Sequence, residues 1–165
     1  MSPTDDLLEL LLALDGVQQS PRFHPEGDAL YHSLQVFDLA RRETDDPALR
    51  AAALLHDVGK AVGSDAHDAT GADLLDGLVS PRVVWLVRHH LDLLERPGLT
   101  KRRLRGTRAL ADLVRLRRWD VGGRSPTARV LSPEDAVALL FDTCSPALTP
   151  GGEPAYFDDQ RKEEY

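Results

Sequence analysis

The 165-residue sequence contains a single cysteine, Cys144, and few aromatic residues, which make up 5% of the chain. One cysteine cannot form an internal disulfide and has no C-x-x-C partner, so the sequence predicts a reducing compartment and no thiolate metal site. The longest apolar runs, such as LLELLLAL near the N-terminus, are far shorter than a membrane span. The first residues, MSPTDDLL, lack the basic start of a signal peptide. These absences predict a soluble cytoplasmic protein with no membrane contact.

Strand-forming patterns are also scarce, because polar and apolar residues rarely alternate along the chain. Leu and Ala are frequent instead, and the length suits one domain with a hydrophobic core. Glycines and the pairs Ser-Pro and Asp-Pro divide the chain into predicted helices. These helices cover about residues 4–14, 28–42, 47–58, 68–79, 81–94, 107–120 and 133–143.

The predicted fold class is therefore all-α, with one helical bundle over residues 1–145. Residues 146–165 have too few apolar side chains for a packed element, so we expect a loose C-terminal tail there. Trp85 and Trp119 lie on predicted helices and are expected in the core.

The net charge of −7 is unevenly distributed. Residues 101–118 hold eight basic side chains and only one acid, Asp112. A local basic patch on an acidic protein favours a phosphate-bearing ligand over general binding to nucleic acid duplexes. The alternative is a solvated helix face next to a basic loop, which the sequence predicts over residues 95–106.

The histidines lie near predicted helix ends or on otherwise apolar helices. The run AAALLHDVGK, for example, ends an apolar helix in His56 and Asp57, and Asp120 ends another helix ahead of VGGR. Imidazole and carboxylate groups are the ligands that suit Mn, Fe, Co, Ni, Zn or Mg in a site without sulfur. Groups on separate helices can meet only inside a bundle, which is where helical bundles place metals. The six histidines are His24, His32, His56, His67, His89 and His90.

The order of these residues resembles the HD-domain superfamily of metal-dependent phosphohydrolases, whose pattern is H…HD…D. The resemblance is closest to the HD domain of bacterial tRNA nucleotidyltransferases, the CCA-adding enzymes. Five segments carry it, in order, over roughly residues 21–127: FHPEGDALYHSLQVFDLA, LLHDVGK, HDATGADLL, LVRHHL and WDVGGRSP. The HD diadenosine-tetraphosphate hydrolases are similar, though less closely. No Gly-Ser…Asp-x-Asp polymerase signature is present, so the resemblance implies the hydrolytic domain alone.

The resemblance implies an HD-type bundle with a metal site in its interior. It also implies a set of ligands for one metal ion, namely His32, His56, Asp57 and Asp120.

Family members that hold two metals add histidines from the next two helices. His67, followed by Gly71, matches the first of these, and His90 matches the second, with His89 as the competing choice. Asp57 would then bridge the two ions. The expected cofactor is one or two divalent transition-metal ions, Mn, Fe, Co, Ni or Zn, with Mg also compatible.

Four further residues are candidates for substrate binding or proton transfer. Lys60 and Arg124 are placed to hold a phosphate, although Lys60 also fits an exposed lysine at a helix end. Asp68 is either a proton shuttle or an acid that favours the start of a helix. His24, in the loop before the first ligand, is a candidate general acid.

The function that the resemblance implies is metal-dependent hydrolysis of a phosphomonoester or phosphodiester. A bound ion lowers the pKa of water and neutralises the phosphoryl oxygens, so no covalent nucleophile is needed. The expected partner is a nucleotide, a 2′,3′-cyclic phosphate or another phosphorylated small molecule, or an RNA end. Two alternatives remain: a di-iron oxygenase of a small organophosphonate or polyol, and a non-catalytic module that binds nucleotide or RNA.

Overall fold

The computed structural model describes residues 2–63, 65–142 and 145–157, and its regular elements within these ranges are helices. The all-α prediction is therefore confirmed. None of these helices is long and apolar enough to cross a membrane. The α-helices are α1 (Pro3–Leu12), α2 (Ala29–Glu43), α3 (Pro47–Leu55), α4 (His67–Leu75), α5 (Pro81–His89), α6 (Asp92–Glu95), α7 (Pro97–Arg103), α8 (Arg108–Gly122) and α9 (Pro133–Phe141), with short 3₁₀ helices at Val58–Val62 and Pro146–Leu148.

Most helices begin where a side-chain oxygen caps the first turn. Such an oxygen accepts a hydrogen bond from a backbone N–H group that has no partner inside the helix. A proline follows the cap in four of them, because the missing N–H of proline loses nothing at the first helical position. The caps of α1, α2, α3, α5, α8 and α9 are Ser2, Asp28, Asp46, Ser80, Thr107 and Ser132.

The predicted basic loop over residues 95–106 is wrong, since Pro97–Arg103 forms α7. Pro97 is the first residue of this helix, and Thr100 is its buried residue. The Thr100 hydroxyl donates to the carbonyl of Arg96 at 2.8 Å. Helix α5 also ends earlier than predicted, at His89 and not near residue 94, and the chain turns before α6 begins at Asp92.

Helix α3 lies between two hydrophobic clusters and separates them. Leu54 packs into the first cluster with side chains of α1, α2, α4, α5 and α9. Leu49 packs into the second, together with Trp85 and Trp119, which are 3% and 1% exposed as predicted for core residues. Alanines on both sides of α3 are fully buried, and their small side chains let the neighbouring helices approach. Whatever follows the C-terminal end of α3 is therefore placed at the centre of the bundle.

The loose tail predicted from residue 146 is wrong for the part that the structure describes, up to residue 157. Ala147 and Leu148 are buried in the first cluster. The Tyr156 ring packs against Trp85, with 4.8 Å between the ring centroids. Residues 158–165 and Cys144 lie outside the described residues.

A buried arginine explains how so few apolar residues hold this segment. Arg82 is 1% exposed, and its guanidinium binds Asp46 at 2.7 Å and Asp112 at 2.8 Å. It also binds Glu153 at 3.1 Å and donates to the Tyr156 hydroxyl at 2.8 Å. The segment is thus fixed by satisfying a buried charge, which a count of apolar residues does not reveal.

Candidate metal centre

Six side chains from five parts of the chain meet at the C-terminal end of α3. One comes from α2, two follow α3 directly, and the others come from the start of α4, the end of α5 and the last turns of α8. Five of the six are buried, whereas the His67 side chain is 17% exposed. The six residues are His32, His56, Asp57, His67, His90 and Asp120.

The carboxylate of Asp57 lies in the middle of this cluster and faces two groups of histidines. Its Oδ2 atom is 3.3 Å from Nε2 of His56 and 3.8 Å from Nε2 of His32. Its Oδ1 atom is 3.2 Å from Nε2 of His67 and 3.5 Å from Nε2 of His90. Each oxygen of Asp57 therefore points to a different pair of imidazoles.

Asp120 completes the first of these two groups. Its Oδ1 atom is 2.9 Å from Nε2 of His32 and 3.7 Å from Nε2 of His56. One donor atom each from His32, His56 and Asp120 lies within 4.8 Å of the other two, and the same holds for His56, Asp57 and His90. Such spacing allows a single ion to contact each set of three.

Backbone carbonyls fix the orientation and the tautomer of two of the histidine rings. The Nδ1 atom of His56 is 2.9 Å from the carbonyl of Ala53, and that of His90 is 2.6 Å from the carbonyl of Val87. A carbonyl only accepts, so each Nδ1 carries the proton and donates it. The lone pair of each Nε2 is then directed into the cluster, as a metal ligand requires.

The cluster contains buried polar atoms whose hydrogen-bonding capacity is unused. The Nε2 atoms of His56, His67 and His90 are buried and have no hydrogen-bond partner. Leaving such atoms unpaired normally destabilises a fold by about 1–3 kcal/mol each. A divalent ion would give each of them a partner, and a set of imidazole and carboxylate ligands suits Mn, Fe, Co, Ni or Zn. The residues present therefore fit a metal ion.

Charge within the cluster shifts the titration of its members. Burial disfavours the charged form of His56, but the Asp57 and Asp120 carboxylates together outweigh it and raise the pKa of His56 from 6.5 to about 10. Burial likewise opposes ionisation of Asp57 and Asp120, yet the neighbouring histidines hold the pKa of both well below 3.8. Without metal, His56 thus keeps a proton at the place where an ion would bind.

The absence of a side chain at Gly59 explains how His67 reaches the cluster. A Cβ atom on Gly59 would overlap the carbonyl oxygen of His67 and lie 2.7 Å from the backbone N of Gly71. Only glycine therefore lets the 3₁₀ helix after Asp57 lie against α4, which brings His67 to Asp57.

A second layer of polar residues lies behind His32. Its Nδ1 atom is 2.8 Å from the carbonyl of Gly123 and 2.9 Å from Oε1 of Glu26. The same oxygen of Glu26 is 2.8 Å from Nδ1 of His24, whose side chain is 15% exposed. Burial lowers the pKa of His24, and the hydrogen bond to Glu26 partly opposes this. His24 therefore lies one layer outside the cluster, and the sequence analysis gave Glu26 no role of its own.

Three cationic side chains border the two carboxylates. Lys60 donates to Oδ2 of Asp57 at 2.8 Å, and the Arg124 guanidinium is 3.9 Å from Oδ1 of Asp120. Arg117, which the sequence analysis treated only as part of the basic segment, donates to Oδ2 of Asp120 at 3.0 Å. No spacing rule singled out Arg117, because only the fold shows which arginine of that segment turns toward the site.

Beside the cluster lies an open cleft of about 300 Å³. The Lys60 ammonium lines this cleft and donates to the side-chain oxygen of Gln19 at 2.5 Å. The cleft is lined by Val17, Gln18, Gln19, Ser20, His24 and Lys60.

The structure separates the two remaining candidates from the cluster. His89 points away from it, with Nδ1 2.7 Å from Oδ2 of Asp92 and its ring 4.3 Å from that of Trp85. His90 is therefore the member of this pair that the fold brings to Asp57. Asp68 lies in the first turn of α4 and, among the described residues, forms no ion pair or hydrogen bond with the cluster.

Comparison with known proteins gives matches to one family. Residues 29–145 match the HD domain family. Three relatives, each named a multifunctional CCA protein, share parts of the sequence. The protein from Methylococcus capsulatus is 57% identical over 49 residues, which are 30% of this chain and 12% of that protein. Those from Hahella chejuensis and Halorhodospira halophila are 39% identical over 80 residues and 37% identical over 112 residues, covering 44% and 56% of this chain. The chain spans between 12% and 27% of the length of these curated relatives.

Proposed function

Because the chain belongs to the HD domain family, we propose that its cluster binds one or two divalent metal ions and hydrolyses phosphate esters. The observation that carries this proposal is the position of Asp57, whose two oxygens face two separate pairs of histidines. One carboxylate that serves two ligand groups is the arrangement a bridged pair of ions needs. A first ion would be held by His32, His56, Asp57 and Asp120, and a second by Asp57, His67 and His90.

The charge around the cluster favours an anionic substrate. A metal ion bound there supplies an activated water and neutralises phosphoryl oxygens. Lys60, Arg117 and Arg124 surround two carboxylates, while the third acid, Glu26, lies behind His32 on the side away from Asp120. Any bound divalent ion therefore leaves the site with excess positive charge, which suits a phosphoryl group better than a neutral polyol.

We assign roles to three residues near the cluster. Lys60 and Arg124 bind the phosphoryl oxygens, since both cations lie within 4 Å of the ligand carboxylates. His24 lines the cleft and protonates the leaving oxygen. Its lowered pKa makes it a stronger acid, but one that is protonated in fewer molecules at neutral pH. Asp68 receives no step, because among the described residues it forms no ion pair or hydrogen bond with the cluster.

The cleft and the relatives both support the substrate class that we propose. A cleft of about 300 Å³ is at the lower end of small-molecule sites, which admits a nucleotide or the last nucleotide of an RNA. The relatives named CCA proteins support a substrate with a ribose phosphate. We therefore propose a nucleotide, a 2′,3′-cyclic phosphate or an RNA-end phosphate as substrate.

The test is hydrolysis by metal-stripped protein reloaded separately with Mn, Co, Ni, Fe, Zn or Mg. The substrates are p-nitrophenyl phosphate, its bis ester, 2′,3′-cyclic AMP, 2′-AMP, 3′-AMP and 5′-AMP. We expect metal-dependent turnover that falls more than about 100-fold in Asp57→Ala, beyond the effect typical of residues that only support a ligand. Asp68→Asn is the matched control, a nearby acid outside the cluster, and should retain turnover.

The two-sided position of Asp57 also suits a pair of irons, so an oxygenase is the second candidate. Stoichiometric metal binding without hydrolysis of any substrate would contradict the phosphohydrolase. Oxygen uptake by the iron-loaded protein, with an organophosphonate or a polyol, would then support the oxygenase. Binding of nucleotide or RNA with neither activity would leave a binding module.

A further inference from the structure

Among the residues that the structure describes, Arg117 is the one cationic group at the cluster that binds the oxygen of a proposed metal ligand facing away from the imidazoles. It lies on α8, one turn before Asp120, and its Nη1 atom is 3.0 Å from Oδ2 of Asp120. The other oxygen, Oδ1, faces His32 and His56. The two oxygens of Asp120 are therefore divided, with one held by a guanidinium and the other directed to the imidazoles.

We propose that Arg117 is a positioning residue that orients Asp120 so that only Oδ1 faces the first metal ion. This rests on the metal centre of the proposed function, but not on the reaction it catalyses. A guanidinium is planar and donates in fixed directions, so it restricts rotation of a carboxylate more than an ammonium does. Arg124 does not duplicate the role, because its nearest approach to Asp120 is 3.9 Å, to the metal-facing oxygen.

The alternative explanation is an ordinary ion pair between residues three apart on a helix. Such pairs on protein surfaces contribute little, but in this one the Asp120 side chain is 9% exposed and the Arg117 side chain is 23% exposed. Groups that hold metal ligands from behind typically change metal affinity or activity by about 10–100-fold when removed.

An orienting role and simple charge repulsion predict opposite changes in metal affinity when Arg117 is replaced. The guanidinium is a positive charge beside a proposed cation site, so by Coulomb repulsion alone its loss would tighten metal binding. If Arg117 orients Asp120, its loss instead lets the carboxylate rotate and weakens binding. The sign of the change therefore separates the two explanations.

The experiment is a calorimetric titration of metal-stripped protein with Mn²⁺ at fixed pH and ionic strength. We expect Arg117→Gln to weaken binding of the first ion by about 10-fold or more. Arg118→Gln is the matched control, because Arg118 is the next residue on α8 and pairs with Glu43 instead of the cluster. It should retain the wild-type affinity within about twofold, since a surface ion pair contributes little.

Unchanged or tighter binding in a folded Arg117→Gln protein would overturn the proposal. If that variant does not fold, Arg117→Lys decides, because it keeps the charge and loses the guanidinium. Weaker binding in Arg117→Lys supports orientation, whereas wild-type affinity overturns it. If the wild-type protein takes up no Mn²⁺, the metal centre and the role of Arg117 are both wrong. If it binds Mn²⁺ but hydrolyses nothing, only the proposed reaction fails.

Discussion

Replacing Gly59 by alanine should damage the metal centre without touching any ligand. The added Cβ would overlap the carbonyl oxygen of His67 and approach the backbone N of Gly71 to 2.7 Å. Neither neighbour is a flexible side chain, so the 3₁₀ helix and α4 must separate by about 1 Å, since a packed interior has no free space to absorb the clash. The Asp57 and His67 atoms that face each other at 3.2 Å would separate with them.

Two magnitudes follow. Overpacking of this kind typically destabilises a protein by about 1–3 kcal/mol. For a domain of this size each kcal/mol lowers Tm by about 2–4 °C, so the metal-free variant should melt about 2–12 °C lower. Metal sites tolerate only about 0.2 Å in ligand distance. We therefore expect loss of the ion held by His67 and His90 and retention of the other.

The assay combines thermal unfolding of metal-free protein with metal stoichiometry. Gly98→Ala is the control, because Gly98 is exposed on α7, with no atom within 4 Å of the added Cβ. That change should be neutral or stabilise the protein by about 0.4–1 kcal/mol, since alanine limits the unfolded chain more than glycine does. Wild-type Tm and wild-type stoichiometry in Gly59→Ala would refute the packing argument.

Three further outcomes are expected. His90→Gln should lower the number of bound ions, whereas His89→Gln should not, as metal analysis of both purified variants will show. Tyr156→Phe should lower the free energy of unfolding by about 1–3 kcal/mol, because the buried Asp112 loses its hydroxyl donor; denaturant titration measures this, and an unchanged midpoint would contradict it. Because the pKa of His56 is raised from 6.5 to about 10, its stabilising contribution to metal-free protein is complete below pH 6.5 and is lost as pH rises to about 10. Tm should therefore fall over that range in EDTA but less so with saturating metal, and parallel curves would refute the assignment.

Capping rules predicted several helix starts because a cap residue and the proline after it are adjacent in the sequence. Asp46-Pro47 and Ser132-Pro133 each place a cap oxygen and a fixed φ at the first turn, and both helices begin there. Helix α7 was missed because its basic residues gave no apolar stripe and because Arg96, the residue before Pro97, supplies no cap oxygen.

The ligand set followed from the resemblance, but the environment of the ligands did not. His89 and His90 are consecutive residues, and only the fold shows that the His90 ring turns to Asp57 while the His89 ring turns to Asp92. The contacts of Arg117 with Asp120 and of Glu26 with His32 were missed because they form only when the chain folds. Contacts of this kind depend on helix rotation and packing, which sequence periodicity does not determine.

The packing of Ala147, Leu148 and Tyr156 has a practical consequence for work on related domains. The family match ends at residue 145, yet the packed core continues through Leu148, and Tyr156 still contacts Trp85 and Arg82. On the N-terminal side, Leu7 and Leu11 of α1 also belong to the first cluster although they precede the match. An HD domain excised at the limits of the family match would therefore expose part of its core and remove Glu153 and Tyr156 from the buried Arg82. If such a fragment were insoluble, that would say nothing about the metal centre.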